Sequence, residues 1–423
     1  MELPLGTETV DVELSEYDVT IAEPSGGDPV DVRRAAERAL EEPLGPSLAS
    51  RVDSDDDVAI VVTDVTRKAP DDVLLEVLLE GLFACGVDRE RVTVVIGLGL
   101  HRPMTDDEIE SMLGEHADLA VNHDPDAVVE VGRIGGADDV STGAGDGPTA
   151  DGVPVEIGEP VAAADTVLST GVVEPHQYAG FSGGAKTVVI GAGSESLIGY
   201  THGPEMLVHD GVRLGRLDGN PFRETLDRAG DLVGVDFSLN LAYGPSGVLG
   251  VRAGEGRRIV RELADVARDA LSVPIDREFD AVVCGVGAPK DANLYQATRG
   301  GTYVALGDRN PVRPGGRLVV PAALSEGAGD GTGEARFYRR LRDADDPDSL
   351  YGEMRRGYES GAQRAFVVAR VLRDHDIVVT DTDSPSVVEE CLMRAKPHVT
   401  DALESGDDVL VVPDALNTLF VDG

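Results

Sequence analysis

Lysine has almost vanished from this chain of 423 residues: Lys68, Lys186, Lys290 and Lys396 stand against thirty-three arginines. One of the four closes a run of small residues, 179-AGFSGGAK-186. Arginine serves a surface positive charge equally well, so the retained amine points to what arginine cannot do. It can lose its proton and attack as a nucleophile, forming an imine or an amide. The competing reading is a phosphate-cradling loop with the ammonium as a point charge, although the G-K-[ST] order of a P-loop is missing. Two histidines flank the lysine, His176 with nine residues between and His202 with fifteen.

Three further segments deliver polar side chains at the ends of apolar runs. The segment 64-DVTRKAP-70 presents Asp64, Thr66 and Arg67 just before a helix start. Free backbone N–H groups and the helix dipole favour anions there, and Arg67 can fork onto a carboxylate or phosphate; an ordinary capping turn with a surface arginine is the plainer reading. In 97-GLGLHRP-103 two glycines permit close approach of the backbone to a ligand, but the third glycine of a dinucleotide fingerprint is missing. His101 in that segment reads equally as a loop histidine. The segment 286-VGAPKDANLYQATRGG-301 runs from a turn into a helix carrying Tyr295, with Gln296 and Arg299 three residues apart on one face. An amide and a guanidinium so placed either grip a small carboxylate or cap a neighbouring loop. His202 falls in a predicted helix, 194-SESLIGYTHGPEML-207, where a lone histidine commonly packs into a core.

The elements that must position these residues follow one pattern. Continuous apolar runs recur at 57–67, 91–101, 165–176, 280–290, 316–322, 376–381 and 408–414, and runs without alternation suit strands buried on both faces. Between them lie helical patterns. The first, 70-PDDVLLEVLLEGLFACG-86, has Pro at its start, acids in its first turn and Gly at its end; 105-TDDEIESML-113 has a Thr cap, and 255-EGRRIVRELADVARDAL-271 is the longest. Strand then helix, repeated, predicts an α/β fold of two domains, each an open, mostly parallel sheet flanked by helices, with ligands outside the carboxyl ends of the strands. The boundary is placed after Leu271, giving domains 1–271 and 272–405 and a terminal segment 406–423 that returns to the first. The stretch 135-GGADDVSTGAGDGPTADGVPVE-156 reads as an irregular or hairpin-bearing insertion.

Composition removes several classes. With 37 basic against 78 acidic residues and a formal charge of −41, the chain lacks the clustered Lys and Arg that nucleic-acid phosphates require. Its 41% hydrophobic content supports real cores. In molar salt the Debye length shrinks to roughly 3 Å and screens such a surface, so the expectation is the cytoplasm of a high-salt organism. Cys85, Cys284 and Cys391 are too few and too scattered for a disulfide framework or a Cys-rich metal site, and each reads as a small buried apolar residue. The N-terminus has no basic and apolar leader pattern, and no apolar run approaches the ~18 residues of a membrane span. A soluble cytoplasmic protein is expected.

Taken together, 64-DVTRKAP-70, 97-GLGLHRP-103, 174-EPHQYAGFSGGAK-186, His202, 286-VGAPKDANLYQATRGG-301 and 409-VLVVPDALNT-418 resemble the nickel-pincer lactate racemase family across nearly the whole chain. The resemblance implies an active site in the cleft between two α/β domains. It implies a nickel-pincer nucleotide, the Ni(II) complex of pyridinium-3-thioamide-5-thiocarboxylic acid mononucleotide, built and loaded by other proteins. By matching positions, Lys186 is the covalent tether, through a thioamide, and His202 the protein ligand to nickel. His101 and His176 are the paired acid and base. Arg67, Gln296 and Arg299 line a small 2-hydroxy acid, with Asp64, Thr66, Arg67 and Tyr295 beside the cofactor.

The chemistry of those residue types agrees. The α-hydrogen of a 2-hydroxy acid is a very weak acid, whereas its loss as hydride, with a base taking the hydroxyl proton, gives a planar 2-keto acid whose two faces lead to the two enantiomers. Imidazoles of unperturbed pKa near 6.5 suit that proton transfer. At the position of Arg299 the lactate-specific members carry lysine. Lysine avoidance alone accounts for the change; a bidentate grip on another 2-hydroxy acid, such as malate, accounts for it too. A Schiff-base lyase using Lys186 without metal, and a small-carboxylate binder without catalysis, are the rival classes.

Overall fold

The computed structural model describes residues 1–67, 69–135, 152–359 and 361–423. Lys68 and residues 136–151, which hold most of the expected insertion, lie outside the described residues; the strands on either side, Val128–Ile134 and Val153–Gly158, pair antiparallel.

The apolar runs are strands of two six-stranded sheets. The first has the order Gly247–Gly254, Val235–Gly244, Thr166–Val172, Val58–Val62, Val92–Ile96, Ala120–Asn122, parallel except for its first pair. Every residue of Val58–Val62 and of Thr166–Val172 is buried. The reason is cover on both faces: Ile60 and Val62 pack with Leu74, Leu75 and Leu78 of helix Asp71–Ala84, while Ala59 and Val61 pack with Val188 and Ala192 at helix Ala185–Gly191. The Thr105 cap is realised as a capping box with Glu108.

The second sheet is parallel throughout, in the order Arg394–Lys396, Asp376–Thr380, Val312–Pro321, Phe279–Cys284, Asp408–Val412, Asp18–Ile21. Its last two strands correct the expected boundaries. The run 408–414 does not return to the first domain; it fills the gap beside Phe279–Cys284, where Val409 to Val412 are fully buried. Asp18–Ile21, from the chain's beginning, then covers that strand's free edge. The final strand Leu419–Asp422 pairs with Ser272–Ile275 outside both large sheets. Sequence patterning also passed over helix Pro221–Val233, capped by Asn220, and the hairpin Val235–Gly254, whose glycines dilute its apolar pattern.

Asp71 holds the first strand end in place. Its carboxyl is buried at the start of helix Asp71–Ala84 and accepts the hydroxyls of Thr63 and Thr170, each at 3.0 Å, so it ties the chain just before Asp64 to the neighbouring strand. Burial pushes this carboxyl up from 3.8 to about 6, against the two hydrogen bonds. A folded-state value above the unfolded one means that stability falls as pH rises from about 4 through about 6, by about 3 kcal/mol in total. Asp71→Asn keeps partners for both threonines and removes the ionisation. It is expected to raise the urea midpoint relative to the parent at pH 8 but not at pH 4; equal shifts at both pH values would contradict this origin.

Candidate active site

The strand ends open into a cleft of about 1020 Å³ lined by both units. After Val58–Val62 comes Asp64, 5% exposed, which accepts the Thr66 hydroxyl at 2.6 Å and contacts His101 Nδ1 at 2.6 Å. Burial raises the Asp64 carboxyl, but the hydrogen bonds from His101 and Thr66 more than reverse this and hold it below its ordinary value. Arg67 forms an ion pair with Glu174, so part of its charge is already answered by the protein.

After Thr166–Val172 the chain makes a two-residue ladder, Pro175–His176 with Gly180–Phe181, and enters helix Ala185–Gly191. Lys186 is therefore the second residue of a helix rather than part of a glycine loop. Burial, followed by the fields of Arg67 and Arg223, lowers its amine to about 7, which brings the uncharged form within reach near neutral pH. Lys290 is depressed in the same way, to about 8, by burial and then Arg299 and Arg67. His202 caps the short helix Glu195–Thr201 instead of lying within it. Its Nδ1 is 3.1 Å from the Ile198 carbonyl, which can only accept, so the ring hydrogen sits on Nδ1 and Nε2 keeps its lone pair. Burial and then Lys186 lower this histidine to about 4. Tyr178 and Phe222 meet its ring edge to face, with centroids 5.5 and 5.0 Å away.

The second unit supplies the opposite wall. Helix Leu294–Ala305 starts at the Asn293 cap and brings Tyr295, Gln296 and Arg299 to the cleft, so the helix-face expectation holds. Tyr295 is fixed edge-on against Phe337 at 5.5 Å. Among the described residues no acidic group pairs with Arg299. Sequence reasoning missed Arg364, which lines the same wall at 3% exposure; it donates to Gln177 Oε1 at 2.8 Å and to the Thr298 hydroxyl at 2.9 Å, and has no carboxylate partner among the described residues. Nothing local in 363-QRAFVVARVL-372 marks it; an arginine inside an apolar helix is the one available signal. The Tyr178 hydroxyl, Gln177 Nε2, Gln296 Oε1 and Arg364 Nε are buried there without protein partners, which leaves hydrogen-bonding capacity for a polar ligand.

All ten residues singled out from the sequence line this one cleft. Glycines of these loops also meet backbone from elsewhere in the fold. A Cβ on Gly97 would lie 3.2 Å from the Gly191 Cα, and one on Gly180, at φ +75°, would lie 1.9 Å from the Arg216 carbonyl. These glycines let backbone approach backbone, fixing the loops that carry His101 and His176. Cys284 and Cys391 are buried as expected, whereas Cys85 is partly exposed. No helix of the described residues is long and apolar enough to cross a membrane.

Ionisable groups gathered from both units in one cleft between parallel α/β sheets define a two-domain enzyme acting on a small polar molecule. Comparison with known proteins makes the class specific. The family model described as the lactate racemase N-terminal domain matches residues 5–215, and that of the lactate racemase C-terminal domain matches residues 277–423. The chain belongs to the lactate racemase family, whose members are isomerases. The lactate racemase of Lactiplantibacillus plantarum is 26% identical over 408 residues, covering 92% of this chain and 90% of that protein. That of Thermoanaerobacterium thermosaccharolyticum is 25% identical over 401 residues, covering 90% and 89%. The fold is shared with the lactate racemase apoprotein of T. thermosaccharolyticum, at a TM-score of 0.84 and 22% identity over 100% of this chain and 99% of that one. A Thermotoga maritima protein superposes with a TM-score of 0.71 at 20% identity, over 94% and 100%.

The lowered amine of Lys186 has a direct readout. Acylation of the full chain with an amine reagent, mapped by peptide mass, is expected to modify Lys186 with a rate that rises through about pH 7 and then levels off. A rate at Lys186 that is still climbing at about pH 10 would show that it is an ordinary ammonium.

Proposed function

We propose that the chain is a 2-hydroxy-acid racemase that interconverts L- and D-lactate. The observation that carries this reading is the convergence, in one cleft, of a lysine near neutrality, two histidines on the substrate space and a wall of unanswered guanidinium charge.

The nickel-pincer nucleotide is the cofactor in this reading, and the residues present fit it. Among the described residues no three His, Cys, Asp or Glu converge as a metal site. A metal can thus be held beside His202 only if it arrives with its other donors, and a single imidazole with a free Nε2 is the donor such a complex lacks. The Lys186 amine is the group that forms the covalent tether. When bound, the cofactor supplies the acceptor and donor of hydride. The chain's residues do the rest. Arg299 and Gln296 orient the carboxylate, and His101 and His176 handle the hydroxyl proton. Asp64, Thr66, Arg67 and Tyr295 stand beside the cofactor. Other proteins build and load it, and the acidic, lysine-poor surface suits a high-salt interior.

One observation favours a second substrate. Arg299 and Arg364 line the same wall without acidic partners, which is more positive charge than one carboxylate answers and suits a dicarboxylic 2-hydroxy acid such as malate.

Protein produced together with a cofactor-making system is expected to contain nickel, to carry a mass increment on Lys186 and to racemise lactate at high salt. Lys186→Arg is expected to abolish the increment and the activity together. Absence of both nickel and adduct from an active preparation would overturn the reading, and a larger kcat/KM for malate than for lactate would favour the second substrate.

A further inference from the structure

The segment that carries His202 is gripped from the other unit. His202 closes helix Glu195–Thr201, and a helix of seven residues is too short to be stable by itself in water, so contacts from outside decide its last turn. Within that turn the backbone N–H and the Nδ1 of His202 both meet the Ile198 carbonyl, at 2.9 and 3.1 Å. The direction of Nε2 is therefore tied to the turn. Where the Ile198 carbonyl goes, the ring follows.

The next carbonyl, that of Gly199, lacks its helical partner, because the Gly203 N–H turns to the Tyr200 carbonyl at 3.3 Å. The hydroxyl of Tyr358, from the second unit, donates to Gly199 instead, at 3.3 Å. The Tyr358 ring lies against Gly203 as well: a Cβ on that glycine would stand 3.8 Å from the ring Cε1. One side chain thus touches residues 199 and 203, the two ends of the turn that presents His202.

The second unit also holds the chain just beyond. Arg370 Nη1 donates at 3.0 Å to the Leu207 carbonyl, which ends helix Pro204–Leu207. Met206 and Leu207 share one apolar cluster with Leu350, Met354 and Phe366 of the second unit. That packing places the segment as a whole. Tyr358 acts closer to the imidazole, on the carbonyl beside the one that the ring itself holds.

We propose that Tyr358 is a positioning residue for His202: from the second unit it fixes the last turn of helix Glu195–Thr201 and with it the direction of the free Nε2. This deepens the reading of His202 as the protein ligand to nickel and rests on it. A ligand whose supporting turn loosens spends less time in the orientation that coordination needs, and loss of such a support costs about 10- to 100-fold in metal affinity.

Tyr358→Phe removes the hydroxyl and keeps the ring on Gly203. In the full chain without cofactor, hydrogen exchange at the amides of His202 and Gly203 is expected to quicken by about fivefold to tenfold, with helix Asp71–Ala84 unchanged. In nickel-loaded protein, transfer of nickel to a chelator is expected to quicken about 10- to 100-fold, with the Lys186 adduct retained. Arg355→Gln breaks an exposed ion pair with Glu205, 3.2 Å long, on the same segment, and is expected to leave the transfer rate unchanged. Faster exchange with nickel transfer at the parent rate would mark a merely structural cap and overturn the proposal, as would an equal rise in Arg355→Gln. His202→Ala tests the underlying reading separately: nickel held as firmly as in the parent would show that His202 is not the ligand, whereas rapid loss there beside parent-like transfer in Tyr358→Phe would sink the positioning role alone.

Discussion

Unanswered positive charge in a recessed cleft is the constraint to which the rest of the site responds. Arg299 and Arg364 have no acidic partners among the described residues, and Arg67 has Glu174 alone. Burial out of water disfavours the charged form of each base in the cleft, and charges of one sign confined in a low dielectric add to that cost. Lys186 drops to about 7 and His202 to about 4, and His176 falls well below its ordinary value. Arg67, Arg223 and Arg299 add to the burial that lowers Lys186, whereas at His202 the charge that adds to burial is that of Lys186 itself.

The fold creates that distribution by repeating one device. Two parallel sheets each aim the carboxyl ends of their strands at a common space, and the side chains that follow those ends are the ones that meet. Strand ends need anchoring to be useful. Asp71 anchors the chain before Asp64, the contact of Gly97 with Gly191 anchors the loop of His101, and the ladder at Gly180 anchors His176. The surface carries the opposite sign, with a formal charge of −41 over the whole chain. At low ionic strength that surface opposes the approach of an anion to a cationic cleft, and salt relieves the conflict by screening the outer charges more than the recessed ones.

Much of this was legible in the sequence because it depends on local residue type. Unalternating runs such as 58-VAIVV-62 can be stable only where both faces are covered, and they are. The caps at Thr105 and Asn293 are set by the side chains themselves. Lys186 stood out because the chain spends almost no other lysine. Arg364 did not, since its importance comes from a contact with Gln177 across 187 residues of chain and from the missing carboxylate beside it. The strand Asp408–Val412 announced itself as a strand but not which sheet it joins, because an apolar run is equally content between any two partners.

The sequence by itself determined the alternation of strand and helix, the set of side chains placed at strand ends, and the resemblance that those motifs carry. It did so because propensity, capping and apolar patterning act over a few residues. Only the tertiary structure decided what the ring nitrogens of His101 and His176 face. His101 and His176 are the same residue type in similar loops, and they differ because one ring nitrogen faces a carboxylate brought from another strand while the other faces two backbone N–H groups in a turn locked by Arg216. Acid and base character are set by what lies across the fold from a side chain, and that distance in space is not written in its neighbours along the chain.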